Sequence, residues 1–120
     1  MNGNDIVIVS ATRTAIGKFG GQFATTSAIE LGTAVAKSAI QKAKLSPDQI
    51  DTVIFGNVLQ AGLGQNPARQ VGLQAGLLHS STALTVNEVC GSGLKAIILA
   101  AQSLRLGDAK IVLAGGMENM

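Results

Sequence analysis

The residue of this 120-residue chain with the clearest capacity for covalent chemistry is its one cysteine, Cys90. It stands between Asn87-Glu-Val and Gly91-Ser-Gly93, where a predicted strand gives way to a predicted helix. A helix N-terminus favours a thiolate, and its unpaired N–H groups can hold the oxyanion of an attacked thioester. The glycines at 91 and 93 leave room for a substrate to reach the sulfur. Cys90 is therefore either a nucleophile or, like most lone cysteines, a small buried apolar side chain.

Other residues suggest chemistry less well. The one histidine, His79, lies in the polar stretch Gly76-Leu-Leu-His-Ser-Ser81 and is predicted to be a surface residue rather than a base. One histidine and one cysteine eleven residues apart do not make a metal site, so no metal is expected. Gly62-Leu-Gly64 resembles the start of a dinucleotide-binding loop, but the third glycine of that pattern would fall at Pro67.

The elements that must position Cys90 alternate as β-α-β-α-β-α-β, which predicts an α/β fold with mostly parallel strands. Apolar runs predict strands at residues 6–10, 51–59, 83–89 and 109–114. A capping box predicts a helix from Ser27 to about residue 44, and an Asn66 N-cap before Pro67 predicts another to about residue 75. A third helix is predicted from about residue 91 to 106, ended by Gly107.

Composition narrows the class of protein. Apolar residues are 47% of the chain, which excludes a disordered protein. A net charge of +2, scattered lysines and arginines, and only three aromatic residues argue against a nucleic-acid partner. The beginning of the chain has no basic region typical of a secretory signal, and the longest apolar run, residues 96–101, is short for a membrane span. We therefore expect a cytoplasmic protein that does not bind a membrane.

The helix after Cys90 is apolar all round in its middle, from Leu94 to Leu104, which predicts burial on every side. The remaining predicted elements can cover only one side of it. The chain also stops a few residues after its last predicted strand, with no helix returning over the sheet. We therefore expect the sequence to be part of a larger molecule or to oligomerise extensively.

Four motifs together give a family resemblance. Asn87-Glu-Val-Cys-Gly-Ser-Gly-Leu-Lys-Ala96 resembles the acyl-enzyme motif of the thiolases, the acetyl-CoA C-acetyltransferases. Ala11-Thr-Arg-Thr-Ala-Ile-Gly-Lys-Phe-Gly-Gly21 is similar to the N-terminal signature of that family. Residues 55–70 and Ala114-Gly-Gly-Met-Glu-Asn-Met120 resemble two further family blocks. The amino-acid sequences of the second and third blocks are closer to those of the short-chain acetoacetyl-CoA type than to those of the long-chain degradative type.

The resemblance implies the layered α-β-α-β-α thiolase fold, of which residues 1–120 would be the first part of the N-terminal half, about the first third of the whole. It implies that Cys90 carries the acyl group as a thioester and that its backbone N–H is an oxyanion donor. Acetyl-CoA and acetoacetyl-CoA would be the substrates, with no separate cofactor, in a homodimer or homotetramer. The activating histidine, a second cysteine, a second oxyanion donor and the CoA-binding loop domain would lie outside residues 1–120, so this chain alone is expected to be inactive. No CoA-binding residue is identified in it.

Alternative functions stay open at this point. The chain could be a catalytically inactive fragment or a non-catalytic α/β assembly module. A 3-ketoacyl-CoA thiolase of fatty-acid degradation is a further alternative, whereas the Cys-Gly-Ser-Gly run argues against a ketoacyl synthase.

Several polar and glycine residues have two interpretations. Four polar residues are interpreted as solvated loop residues plus a helix N-cap, or alternatively as subunit contacts: Arg13, Lys18, Asn66 and Arg69. The pair Gly115-Gly116 is either catalytic or a tight exit from a strand, and Glu118 is expected to have no chemical role.

Overall fold

The computed structural model describes residues 4–120 and has an α/β architecture. In chain order its elements are α1 (Ala28–Lys42), a 3-10 turn (Pro47–Gln49), β1 (Thr52–Gly56), α2 (Pro67–Gln74), β2 (Thr82–Val86), α3 (Ser92–Leu106) and β3 (Val112–Gly116). Residues 1–3, which belong to the segment without a basic region at the beginning of the chain, lie outside the described residues.

The three strands form one parallel sheet in the order β2-β1-β3. Its central strand, β1, is buried from Val53 to Gly56 because helices pack on both faces of the sheet. At the carboxyl end of β1, Gly56 pairs with Val86 of β2 and with Gly116 of β3. All three strands therefore end at the same edge, and the chain leaves β2 at this edge to reach Cys90.

The two faces of the sheet are covered to very different extents. On the face of α1 and α2, thirteen buried apolar residues form one cluster that includes Val53, Phe55 and Val71. On the face of α3, the cluster of buried residues is Ile54, Ala96 and Ala100. The first face supplies most of the core, since apolar burial is the main favourable contribution to folding.

The helix ends follow the predicted local signals. Ser27 and Glu30 form the capping box of α1, with the Ser27 N–H donating to the Glu30 carboxylate at 2.6 Å. At α2 the Asn66 side chain accepts from the Arg69 N–H at 3.3 Å, and Pro67 occupies the first helical position. Gly107 ends α3 in a left-handed conformation.

The predicted first strand is wrong: residues 6–10 belong to no strand. Val7, Ile8 and Val9 are exposed, and the segment is held instead through Ser10, whose hydroxyl donates to the Ala39 carbonyl at 2.7 Å. A groove of about 1300 Å³, lined by this segment and by residues 112–117 of the β3 edge, separates it from the sheet. A β-branched run indicates a strand only where an edge is close enough to pair with it, and here the groove intervenes.

The other strands are found, with different limits. β1 and β2 end at Gly56 and Val86, before their predicted ends at residues 59 and 89, because the chain turns away after each strand at the carboxyl edge of the sheet. β3 begins at Val112 rather than at residue 109, since the N–H groups of Lys110 and Ile111 donate to the Asp51 carboxylate at 2.7 and 3.0 Å.

The outer side of α3 is uncovered, as the apolar pattern led us to expect. Leu94 is 65% exposed, and Ile97 and Ile98 are 45% and 43% exposed. Within the described residues, one stretch, Val89–Leu106, is long and apolar enough to cross a membrane, with a mean hydropathy of 1.2. A core helix of a soluble protein meets the same criterion, and this one packs on the sheet through Ala96 and Ala100.

Candidate active site around Cys90

Cys90 lies on a tight turn, residues 87–91, that joins the carboxyl end of β2 to the N-terminus of α3. The backbone of Val89 is left-handed, with φ = 52°. A β-branched residue rarely adopts this conformation, which costs on the order of 1 kcal/mol or more and needs support from surrounding contacts. The turn is thus a strained connection that places Cys90 directly before the first turn of the helix.

Hydrogen bonds within the turn supply that support. The Val89 N–H donates to Oδ1 of Asn87 at 2.9 Å, and the Glu88 N–H donates to Oγ of Ser92 at 2.8 Å. The Ser92 hydroxyl in turn donates to the Val89 carbonyl at 2.6 Å. Ser92 is 4% exposed, so these bonds are shielded from water on that side.

The Cys90 thiol itself is free and exposed. The interpretation of Cys90 as a small buried apolar side chain is therefore wrong for this structure. The N–H groups of Gly91 and Ser92 are engaged with the carbonyls of Glu88 and Val89 at 3.1 and 3.2 Å. Of the five N–H groups from 88 to 92, four thus bond within the turn, and the fifth is that of Cys90. Lys95 forms an ion pair with Glu88 at 3.5 Å beside the turn.

Two glycines at the strand ends, Gly56 and Gly116, let α3 approach the sheet closely. A Cβ atom on Gly56 would lie 2.5 Å from the carbonyl carbon of Ser92 and 2.7 Å from the nitrogen of Gly93. A Cβ on Gly116 would lie 3.3 Å from Cα of Gly93. Gly56 and Gly116 therefore act by permitting close packing, which favours the strand-exit interpretation of the Gly115-Gly116 pair.

Gly93 has a different environment. A Cβ on Gly93 would meet nothing within 4 Å. Packing among the described residues therefore does not require glycine at this position. The open space beside Gly93 fits the expectation that it leaves room near the sulfur.

A polar cluster at the same edge was missed by the sequence analysis. Asn57 is 1% exposed and its Nδ2 donates to the Met117 carbonyl at 3.1 Å and to Oε1 of Glu118 at 3.1 Å. The Glu118 carboxylate also accepts from the N–H groups of Val58 and Leu59 at 3.0 and 3.1 Å. Oδ1 of Asn57 is buried and has no partner among the described residues. An Asn at a strand end and a Glu after a Gly-Gly pair are separated by about half the chain, so only the folded sheet brings them together.

The other predicted residues lie away from Cys90. His79 is exposed and precedes β2, whereas Cys90 follows its far end; five strand residues span roughly 16 Å. His79 therefore lies at the opposite edge of the sheet, as its surface interpretation requires. Within residues 4–120 no group of three or more His, Cys, Asp or Glu side chains could hold a metal ion.

The four polar loop residues divide into two pairs. Arg69 is half-buried and donates to the carbonyls of Ser81 and His79 at 2.6 and 2.9 Å, so it fixes the entry to β2. Asn66 caps α2 and accepts from the Thr85 hydroxyl at 2.7 Å. Arg13 and Lys18 are exposed. The first pair is structural within the chain: the cap role of Asn66 was predicted, whereas the hydrogen bonds of Arg69 were not.

The fold and the turn define the class, an α/β domain that presents one cysteine at the carboxyl edge of a parallel sheet. The family profile described as "Thiolase, N-terminal domain" matches residues 6–120. The chain therefore belongs to the thiolase family, and it corresponds to part of the N-terminal portion of its members.

Named relatives agree with this assignment. The chain is 60% identical to the acetyl-CoA acetyltransferase of Escherichia coli over 95% of its own length and 29% of that protein. It is 55% identical to the cytosolic acetyl-CoA acetyltransferase of Mus musculus over 96% of its length and 29% of that protein. The crystal structure of Acat5 thiolase from Ascaris suum in complex with coenzyme A has a TM-score of 0.90 at 45% identity, covering 91% of this chain and 28% of that one. The chain thus spans about 30% of the curated relatives it matches, and its fold is that of the thiolases.

Proposed function

We propose that residues 1–120 are the partial N-terminal domain of an acetyl-CoA C-acetyltransferase, an enzyme that condenses two acetyl-CoA into acetoacetyl-CoA and CoA or runs the reverse thiolysis. Cys90 is the nucleophile. Its sulfur forms a bond to the acyl carbon, the bond between that carbon and the CoA sulfur breaks, and CoA leaves as the thiol. The backbone N–H of Cys90 is one donor to the oxyanion of the tetrahedral intermediate.

The observation that carries this proposal is the placement of an exposed thiol on a strained, internally bonded turn before a 15-residue helix. Such a turn holds the nucleophile in one position, and prior positioning lowers the barrier of an acyl transfer. The oriented N–H groups of a helix N-terminus stabilise the negative charge that develops on the oxyanion. The open space beside Gly93 gives the thioester access.

The identity of the substrates is supported by the relatives. Proteins 50–60% identical to this chain are named acetyl-CoA acetyltransferases, and the Ascaris suum structure is a complex with coenzyme A. The resemblance assigns the activating histidine, the second cysteine and the second oxyanion donor to parts of the enzyme beyond residues 1–120. We propose a cytoplasmic homodimer or homotetramer that needs no cofactor besides its CoA thioester substrates.

The test uses a full-length context. Residues 4–120 replace the matching segment of the Escherichia coli relative, giving a protein that we call the grafted enzyme. After incubation with acetyl-CoA and quenching at low pH, peptide mass spectrometry is expected to find an acetyl group on Cys90. The parent enzyme is the positive control, and Cys90→Ala in the grafted enzyme is the negative control. A folded grafted enzyme that carries no acetyl group on Cys90, or that turns over equally well as Cys90→Ala, would overturn the proposal.

A further inference from the structure

The carboxylate of Glu118 joins the ends of β3 and β1 at the edge where Cys90 lies. Oε2 accepts from the Val58 N–H at 3.0 Å, and Oε1 accepts from the Leu59 N–H and from Asn57 Nδ2, both at 3.1 Å. Hydrogen bonds to an ionised carboxylate are stronger than neutral ones. Two consecutive backbone N–H groups bound by one carboxylate fix the position of the segment 57–59.

This segment contacts the Cys90 turn through a side chain. The Val58 carbonyl accepts from Nδ2 of Asn87 at 3.5 Å, and Oδ1 of the same Asn87 accepts from the Val89 N–H at 2.9 Å. Val89 is the left-handed residue immediately before Cys90. Asn87 therefore links the segment fixed by Glu118 to the strained residue that determines where the thiol lies.

Close packing provides a second, independent link. Gly56, which precedes this segment, leaves no room for even a Cβ atom against Ser92, the first residue of α3. The Ser92 hydroxyl bonds to the backbone of Glu88 and Val89 on the far side of Cys90. A displacement of the end of β1 is thus passed to both sides of the Cys90 turn.

We propose that Glu118 is a positioning residue for Cys90: through Val58 and Asn87, and through the contact between Gly56 and Ser92, its carboxylate holds the turn in the geometry for acyl transfer. The inference rests on the proposed role of Cys90 as the nucleophile. Glu118 acts through its neighbours and takes no part in bond making. It therefore differs from a residue that merely stabilises the fold, because its loss displaces one reactive group more than it lowers stability.

The test variant is Glu118→Gln in the grafted enzyme, which keeps the side-chain size but leaves only one oxygen to accept what two oxygens accept now. We expect kcat to fall about tenfold or more with KM changed less than about threefold, since a displacement of about 1 Å can cost ~100-fold in rate. The rate of Cys90 alkylation by iodoacetamide is expected to change as well. The matched control is Glu30→Gln, which likewise exchanges for an amide a carboxylate that accepts from a backbone N–H, here at the start of α1. This control should leave kcat and the alkylation rate unchanged.

A double-mutant cycle with Asn87→Ala tests the route. If Glu118 acts through Asn87, the loss in kcat of the double variant is smaller than the product of the two single losses. Multiplied losses, a kcat within threefold of the unsubstituted grafted enzyme, or an equal fall in the Glu30→Gln control would each overturn the inference. Should Glu118→Gln not fold, Asn87→Ala decides: an unchanged alkylation rate at Cys90 contradicts the relay. Alkylation does not require turnover, so it can fail or succeed separately from the proposed acetylation of Cys90.

Discussion

At the scale of single residues, the central feature is an exposed thiol on a turn that is strained at Val89. Ordinary buried cysteines are inert, whereas an accessible thiol beside a helix N-terminus is expected to react readily with electrophiles. The residues around it supply hydrogen bonds to the turn and leave the sulfur open. The proposed chemistry of the domain therefore depends on one side chain.

The first prediction concerns the reactivity of this thiol. In the grafted enzyme, Cys90 should react with iodoacetamide faster than an unstructured cysteine peptide at neutral pH, and acetyl-CoA should protect it because the acyl group occupies the same sulfur. Cys90→Ser should fold with an unchanged melting temperature but lose at least about 10³-fold in kcat, since a hydroxyl is a poor nucleophile without a matched base. Near-normal turnover of the serine variant would remove Cys90 from the mechanism.

How much of the site could be predicted from sequence differs between its two parts. The turn around Cys90 was predicted, because a glycine-rich segment between an apolar strand and an apolar helix is a local signal. The contact between Glu118 and Asn57 was missed, since these residues lie 61 positions apart and meet only through the pairing of β1 with β3. No local pattern reports a hydrogen bond that depends on strand order.

At the scale of elements, the position of α3 is set by glycines at the strand ends. Gly56→Ala should destabilise the grafted enzyme by about 1–3 kcal/mol or more, because its methyl group would overlap the backbone of Ser92. Gly93→Ala is the matched comparison at the same contact. Its methyl group points into open space, so the melting temperature should stay equal or rise slightly while KM for acetyl-CoA increases. Thermal melts and initial rates measure both effects. Equal stability losses in the two variants would contradict this account of the contact between α3 and the strand ends.

A second prediction at this scale concerns Asp51, which joins the starts of β1 and β3. The backbone N–H groups of Lys110 and Ile111 donate to its carboxylate and lower the pKa of Asp51 below its usual value of 3.8; burial opposes this shift and the Lys110 charge adds to it. Because the folded-state pKa is the lower one, the stabilisation is complete above pH 4 and is lost as the pH falls through that lowered pKa.

The variant Asp51→Asn measures this contribution. At pH 7 we expect it to cost the grafted enzyme about 1 kcal/mol, a low value for charged hydrogen bonds because the side chain is exposed. The gap in unfolding free energy between the two proteins should narrow below pH 4. A gap that stays constant from pH 7 to pH 3 would show that the carboxylate charge contributes nothing.

The strands also show where sequence patterns fall short. The runs that form β1, β2 and β3 were correctly predicted to be strands. Residues 6–10 were also predicted to be a strand, but they pair with no strand of the sheet. Residues 6–10 are even the richest of the four runs in β-branched residues, with four in five positions. Pairing depends on a neighbouring edge, and β-propensity reports fitness for a pleated, half-buried surface rather than the presence of a partner.

At the scale of the whole molecule, apolar surface is left exposed on both sides of a large groove. Ile8 and Val9 are 78% and 65% exposed, and the outer side of α3 adds Leu94 and Ile97. Contiguous apolar patches beyond a few hundred Å² mark binding surfaces or aggregation liabilities. The chain expressed alone should therefore aggregate or remain loosely packed, as light scattering and dye binding would report.

Two separate variants test that prediction by their soluble yield: Leu94→Lys and Ala96→Lys. The first substitution lies on the exposed side of α3 and should raise the soluble yield of the chain, whereas the second lies on the buried side and should lower it further. A sharp two-state melt of a soluble, unsubstituted monomer would contradict the prediction.

The last prediction is that this chain by itself has no thiolase activity, even where it folds and Cys90 is intact. General acid and base groups each contribute about 10²–10⁴-fold in typical enzymes, and loss of one oxyanion donor commonly costs about 10²–10³-fold. Among the residues of the chain, His79 is the one imidazole, and it lies at the opposite edge of the sheet from Cys90. The assay is acetoacetyl-CoA thiolysis, followed by loss of the enolate absorbance, with Cys90→Ala of the same chain as the control and the grafted enzyme as the active reference. Turnover of the chain above the Cys90→Ala control would mean that a group within it supplies the base, and His79→Ala would then identify or exclude the imidazole.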